Sequence, residues 1–264
     1  MTSLFDAGSG YVLLLSLVLT RISGIVLMSP IFGTNEVPTT IRAFLVMTLT
    51  LLIAPTQTGP LPTMPTSLVD FSLIITSELL IGLLLGLGVT VFFSAFQLSG
   101  SIISQLSGMS LGDVFNPGLD ESIPLFSHLL HMVTTATYVL IGGHRLLMGG
   151  LLETFAAVPP GAAAVPTGIE SLIVDLLTES FSLGLRAAAP ATAALLLATI
   201  VLGLISRSLP QLNILALGFG LNAMVTFAIL TISVGGASLL LQEHFESTFD
   251  QIIHAVIPSE TATP

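Results

Sequence analysis

Cysteine, lysine and tryptophan are all missing from the 264 residues, and Asp, Glu, Lys and Arg together make up only 8% of them. The shortage of charge decides the class. A soluble domain carries about a quarter charged residues, whereas this chain is 53% hydrophobic with a mean hydropathy of +1.01. It is therefore read as an integral membrane protein. Without cysteine there is no disulfide, no thiolate metal site and no cysteine nucleophile. The five basic residues are all arginine (Arg21, Arg42, Arg145, Arg186 and Arg207), and the net charge of −10 argues against nucleic-acid phosphates as partners. Five cations are also too few to orient the chain by a positive-inside bias. Before residues 11–20 the only charge is Asp6, with no basic stretch. The first apolar run is accordingly expected to stay in the mature protein.

What is present is a series of apolar runs separated by proline and glycine. Residues 11–28 form the first, interrupted by Arg21 and stopped at Pro30. A shorter run over 41–54 ends at Pro55, and "TQTGPLPTMPT" (56–66) reads as a loop. A long helix is expected over 68–98, with Asp70 and Glu78 near its start, followed by a polar connection from Ser99 to Ser122. Another helical region, 123–152, contains the break Gly142-Gly143-His144-Arg145, and "VPPGAAAVPTG" (158–168) is a second loop. Residues 169–209 read as helical with a kink at Pro190, whose ring removes a backbone donor. A last apolar stretch covers 212–241. The tail after it is acidic and expected to begin as an amphipathic helix (Phe245, Phe249, Ile252, Ile253) and to end frayed.

Backbone freed by proline or glycine at membrane depth must be satisfied by other protein or by water in a cavity. Breaks at Pro30, Gly142-Gly143, Pro190 and Pro210 thus point to a chain embedded in protein or lining a path. Enzyme readings fare poorly. Asp113 in "SLGD" is close to the GxGD of intramembrane aspartyl proteases, but the leading glycine is serine and Asp70 is a poor second aspartate. Ser110 and His128 lack a GxSxG elbow. His128 and His131 share a helix face near Asp120 and Glu121, and read as polar surface rather than as metal ligands. "GLLLG" places Gly82 and Gly86 four apart, a small-xxx-small device for close helix approach. Arg21, an intramembrane charge, needs a partner, either Glu78 or Glu36.

Four blocks then resemble one family. They are "RISGIVLMSPIFGTNEVPTTIRAFLVMTLTLLIAP" (21–55), "SELLIGLLLGLGVTVFFSAFQLSGSIISQLSGMSLGDVFNP" (77–117), "GGHRLLMGGLLETFAAVPPG" (142–161) and "LGLISRSLPQLNILALGFGL" (202–221). Together, and in this order, they are similar to the FliR/SctT family of type III export-gate subunits; the Arg-x-x-Pro-Gln-x-Asn of the last block is the most specific. The chain departs from the family pattern at Ser101, at 106–108, at Asn116 and at Gly220.

The resemblance implies an all-α membrane protein of broken and kinked helical hairpins. A FliP-like part (1–180) would be fused to a FliQ-like hairpin (181–250), with a polar tail over 251–264. It implies a structural and gating subunit without cofactor, metal or catalytic residue, closing a spiral of FliP and FliQ homologues. FlhA and FlhB homologues would stand beside it, unfolded export substrates would pass in transit, and lipid would surround it in the inner membrane at the flagellar basal body. Because much of that assembly stands above the bilayer, six simple spans are not expected. By position, a plug loop would cover 108–121: Gly108, Met109, Ser110, Leu111, Gly112, Asp113, Val114, Phe115, Asn116 and Pro117 at its heart. Arg207, Pro210, Gln211 and Asn213 would form the bend of the hairpin and an assembly joint. Arg21, Pro30, Glu78, Gly82 and Gly86 would be internal polar and packing positions. The competing class is a secondary transporter with broken helices, which predicts internal repeats that the sequence does not show.

Overall fold

The computed structural model describes residues 2–33, 37–65, 67–108, 124–163, 168–209, 217–231, 250–253 and 255. Among them the regular structure is helical: α1 (Thr2–Met28), α2 (Thr39–Ile53), α3 (Leu68–Ser107), α4 (Leu125–Leu140), α5 (Gly143–Ala157), α6 (Ile169–Ser208) and α7 (Leu217–Thr231). Four of these helices are long and apolar enough to cross a membrane, or up to five spans if α4 and α5 count as one broken span. The chain is thus an all-α membrane protein.

Helix ends follow local chemistry. Beyond α1 the Ser29 N–H still reaches the Ile25 carbonyl at 2.8 Å before Pro30 stops the helix. Pro38 precedes α2, where Arg42 folds back so that Nε and Nη2 both donate to the Val37 carbonyl, at 3.0 and 2.8 Å. A 3₁₀ turn, Ala54–Thr56, carries Pro55 and closes α2. Between α4 and α5, Gly142 adopts φ +75°, a left-handed conformation that suits a residue without Cβ.

The contacts fall into two compact units. One comprises Met1–Thr90, Gly142–Leu176 and Phe245–Pro264. There α1 runs parallel to the first half of α3 at a glycine seam. A Cβ on Gly82 would collide with the Arg21 carbonyl, and one on Gly86 would lie 2.7 Å from Met28 Cβ. Gly24 answers from the other side, where a Cβ would meet the Leu79 carbonyl at 2.8 Å. Ile252, expected in an amphipathic tail, is fully buried and sits against Gly88.

The other unit comprises Val91–Ile141 and Leu177–His244. Its core joins Phe96 and Ile103 of α3, Phe126 and Leu130 of α4, Ala188, Ala191 and Leu195 of α6, and Leu230 of α7. Phe126 and Phe227 meet edge to face, with centroids 5.6 Å apart.

Two local expectations need correction. The stretch from Ser99 to Ser107 is not a polar connection but the end of α3. Ser99, Ser104 and Ser107 are buried there, and Ser107 Oγ finds a backbone partner, donating to the Ser104 carbonyl at 3.0 Å. Nor does Pro190 interrupt α6, which runs on from Ile169 to Ser208. One backbone bond is lost at the exposed proline, but Ala188, Ala191 and Leu195 pack into the core on either side and hold both turns.

Candidate functional site

Two constellations of polar groups stand out, one in each compact unit. The first lies where α3 ends and α4 begins. Along α3 the contacts run from Ser104 back to Phe93, and along α4 forward from Phe126 to Tyr138, so the two helices are antiparallel. Ser104 Oγ accepts the Phe126 N–H at 3.2 Å. That donor is one of the four orphan N–H groups at the start of a helix, and Pro124 at the N-cap offers no side-chain acceptor. Ser104 therefore caps α4 from the neighbouring helix.

One turn further along α3, Gly100 lies against Ser127, whose Cα, amide and neighbouring carbonyl would each clash with a Cβ. Ser127 Oγ donates to the Gln97 carbonyl at 2.8 Å. The Gln97 side chain reaches His131 Nδ1 at 2.9 Å, and Phe93 meets the His131 and Tyr138 rings edge to face. Above this neck α3 is finished by Gly108, with φ +77° and its N–H on the Gln105 carbonyl at 3.3 Å. Of the loop positions named from the sequence only Gly108 is described; Met109 to Pro117 lie outside the described residues.

The second constellation is a buried ion pair. Arg21 on α1 and Glu78 on α3 are both fully buried, with Nε 2.7 Å from Oε2. Of the two acids open to Arg21, Glu78 takes the contact, while Glu36 lies outside the described residues. The rest of the guanidinium is used as well. Nη1 reaches Thr154 Oγ1 at 3.5 Å, Nη2 donates to the Val158 carbonyl at 3.0 Å, and the group stands 4.3 Å over the Phe155 ring. Glu78 Oε1 accepts the Gly161 N–H at 2.9 Å. One pair thus ties α1, α3, α5 and the loop after α5. A buried charge is tolerable only when paired and hydrogen-bonded, and here each group has several partners. Thr154, Val158 and Gly161 were not singled out from the sequence; the signal was "VPPG" beside an apolar helix, whose Gly161 needs φ +91°.

The remaining positions are less connected. Pro30 is half-buried behind α1, and Arg207 is exposed at the end of α6; Pro210, Gln211 and Asn213 lie outside the described residues. His128 and Asp70 are exposed, while Ser110, Asp113, Asp120 and Glu121 are not described. Among the described residues no three of His, Cys, Asp and Glu gather as metal ligands. A cleft of about 390 Å³ beside Phe155, lined by residues such as Leu14, Gln57 and Pro159, has no charged side chain on its walls.

The sequence profile of the family described as bacterial export proteins, family 1, matches residues 12–248. The chain belongs to that family. The match spans both constellations. Flagellar biosynthetic protein FliR of Aquifex aeolicus (strain VF5) is 27% identical over 229 residues, 87% of this chain and 88% of that protein. FliR of Bacillus subtilis (strain 168) is 26% identical over 255 residues, 95% of each chain. FliR of Escherichia coli (strain K12) is 27% identical over 212 residues, 80% of each. This export-family member is therefore a FliR-type membrane component of the flagellar export apparatus.

Proposed function

We propose that the chain is a structural and gating subunit of the flagellar type III export gate. It closes a spiral of FliP and FliQ homologues in the inner membrane, beside FlhA and FlhB homologues, and helps seal the pore through which unfolded substrates pass. In this reading residues 1–180 are the FliP-like part, 181–250 the FliQ-like hairpin and 251–264 a tail. The chain performs no hydrolysis; the proton gradient and a separate ATPase drive transport.

The observation that carries the gating role is the α3–α4 neck. It holds the last turns of α3 against the start of α4, where Ser104 Oγ accepts the Phe126 N–H at 3.2 Å, and segment 108–121 lies in the connection between these two helices. That segment has glycines for close chain approach and Met109, Leu111, Val114 and Phe115 for an apolar seal. Apolar contacts stop ions yet yield to an unfolded chain, so gating is a shift of population between a packed and a displaced loop. Deleting residues 112–118 is expected to leave the complex assembled while raising its ion conductance in planar bilayers. A conductance no higher than that of the unmodified complex sinks the plug role.

A further inference from the structure

We infer that α6 crosses the bilayer only over residues 187–206, and that Arg186 and Arg207, at the two ends of this interval, hold anionic lipid headgroups of opposite leaflets. The inference goes beyond the gating role and holds whether or not the chain seals a pore.

At 40 residues, α6 is about 60 Å long, twice the roughly 30 Å of a hydrocarbon core. Charge says which half lies inside. The acids of α6, Glu170, Asp175 and Glu179, all precede Arg186, and residues 187–206 carry no charge at all. Arg186 and Arg207 are 21 positions apart, which on a helix is about 31 Å. Steps of four and three join them through Pro190, Ala193, Leu197, Ile200 and Leu204, so all lie on one side of the helix. That stripe is exposed throughout, and so are both arginines. Neither arginine has an ion-pair partner among the described residues. Elsewhere on the same interval, Ala188, Ala191 and Leu195 pack into the core.

The polar groups of the interval suit lipid rather than water. Its hydroxyls each donate to a carbonyl of their own helix: Thr192 to Ala189 at 2.9 Å, Thr199 to Leu195 at 2.8 Å and Ser206 to Gly203 at 2.7 Å. None of them needs a solvent partner. Pro190 has no N–H for the carbonyl four residues back, which is that of Arg186. The carbonyl so freed stands at the edge of the interval, where headgroups and water reach it. A guanidinium at each end lays its stem along apolar surface and offers its fork of donors to phosphate oxygens. A sister subunit can cover an apolar stripe, but nothing in helix packing fixes its charge-free length at that of a bilayer.

Because the chain has no cysteine, Phe181→Cys, Ala193→Cys, Leu197→Cys and Leu204→Cys each give a single site for a spin label. The full chain is placed in nanodiscs of equal phosphatidylglycerol and phosphatidylcholine, alone and co-purified with FliP and FliQ homologues. Paramagnetic resonance then compares access to oxygen, which enters hydrocarbon, with access to a nickel chelate, which does not. The oxygen-to-nickel ratio is expected to peak at Leu197, midway between the arginines, and to be lowest at Phe181. A peak at another position, or a flat profile, overturns the span. Labels at Leu197 and Leu204 shielded from both reagents in the co-purified complex overturn the lipid assignment, since a sister subunit then covers the stripe. Native mass spectrometry of the same nanodiscs reads the preference for bound phosphatidylglycerol over phosphatidylcholine. Arg186→Gln and Arg207→Gln should each lower it about fivefold, the contribution of one arginine at an anionic surface, while Arg186→Lys and Arg207→Lys keep it. An unchanged preference in the glutamine variants overturns the headgroup role. Equal loss in the lysine variants does so too, because charge is then not what holds the lipid.

Discussion

Arg21 and Glu78 are 57 positions apart in the chain and 2.7 Å apart in space. Removing one partner of a fully buried pair leaves the other charge without compensation, a cost of about 3–5 kcal/mol. Glu78→Ala is therefore expected to lower the thermal midpoint of the purified protein sharply, as read by intrinsic fluorescence or circular dichroism. Exchanging both residues for apolar ones of similar volume, as in Arg21→Met with Glu78→Leu, should recover much of the loss. A double variant as unstable as the single one would show that the hydrogen bonds to Val158 and Gly161, rather than charge balance, dominate. The sequence exposed the need for a partner but left two acids open. Which acid answers depends on α1 and α3 lying side by side at Gly82 and Gly86, a fact of packing.

At the scale of elements, glycine and serine decide how close helices come. The spacing of Gly82 and Gly86 was legible because two small residues four apart share a helix face. The polarity of Ser99 to Ser107 points to a solvated connection, yet the structure continues α3 through it. In α3 the Ser107 hydroxyl bonds to backbone instead, and Ser104 accepts the Phe126 N–H of a neighbouring helix that periodicity could not identify. Pro190 is a second case. An interior proline costs up to about 3 kcal/mol, which outweighs local propensity but not the core contacts on either side. Pro190→Ala should therefore raise the melting temperature, since it restores a donor within a continuous helix. A fall instead would mean that the proline relieves a local constraint in α6.

For the whole molecule the dominant fact is apolar surface that the chain does not bury itself. Only 28% of the most apolar window of α6 is buried, against 67% for α3. Phe44 on α2, at 71% exposure, and Leu197 on α6, at 64%, are among the large side chains left outside. Lipid or sister subunits must cover such surface. Co-expression with FliP and FliQ homologues should therefore raise both the monodisperse yield and the melting temperature over those of the chain alone in detergent. Equal behaviour with and without them would argue that lipid is the only cover needed. By itself the sequence determined the solvent, the helical class, the breaks at Pro30 and Gly142 and the family, because composition, turn chemistry and motif order are local properties. Only the tertiary structure decided that Glu78 receives Arg21, that Gly161 completes the pair and that Ser104 caps α4. Those are contacts between distant segments, and helix periodicity says which face is apolar but not which neighbour it will meet.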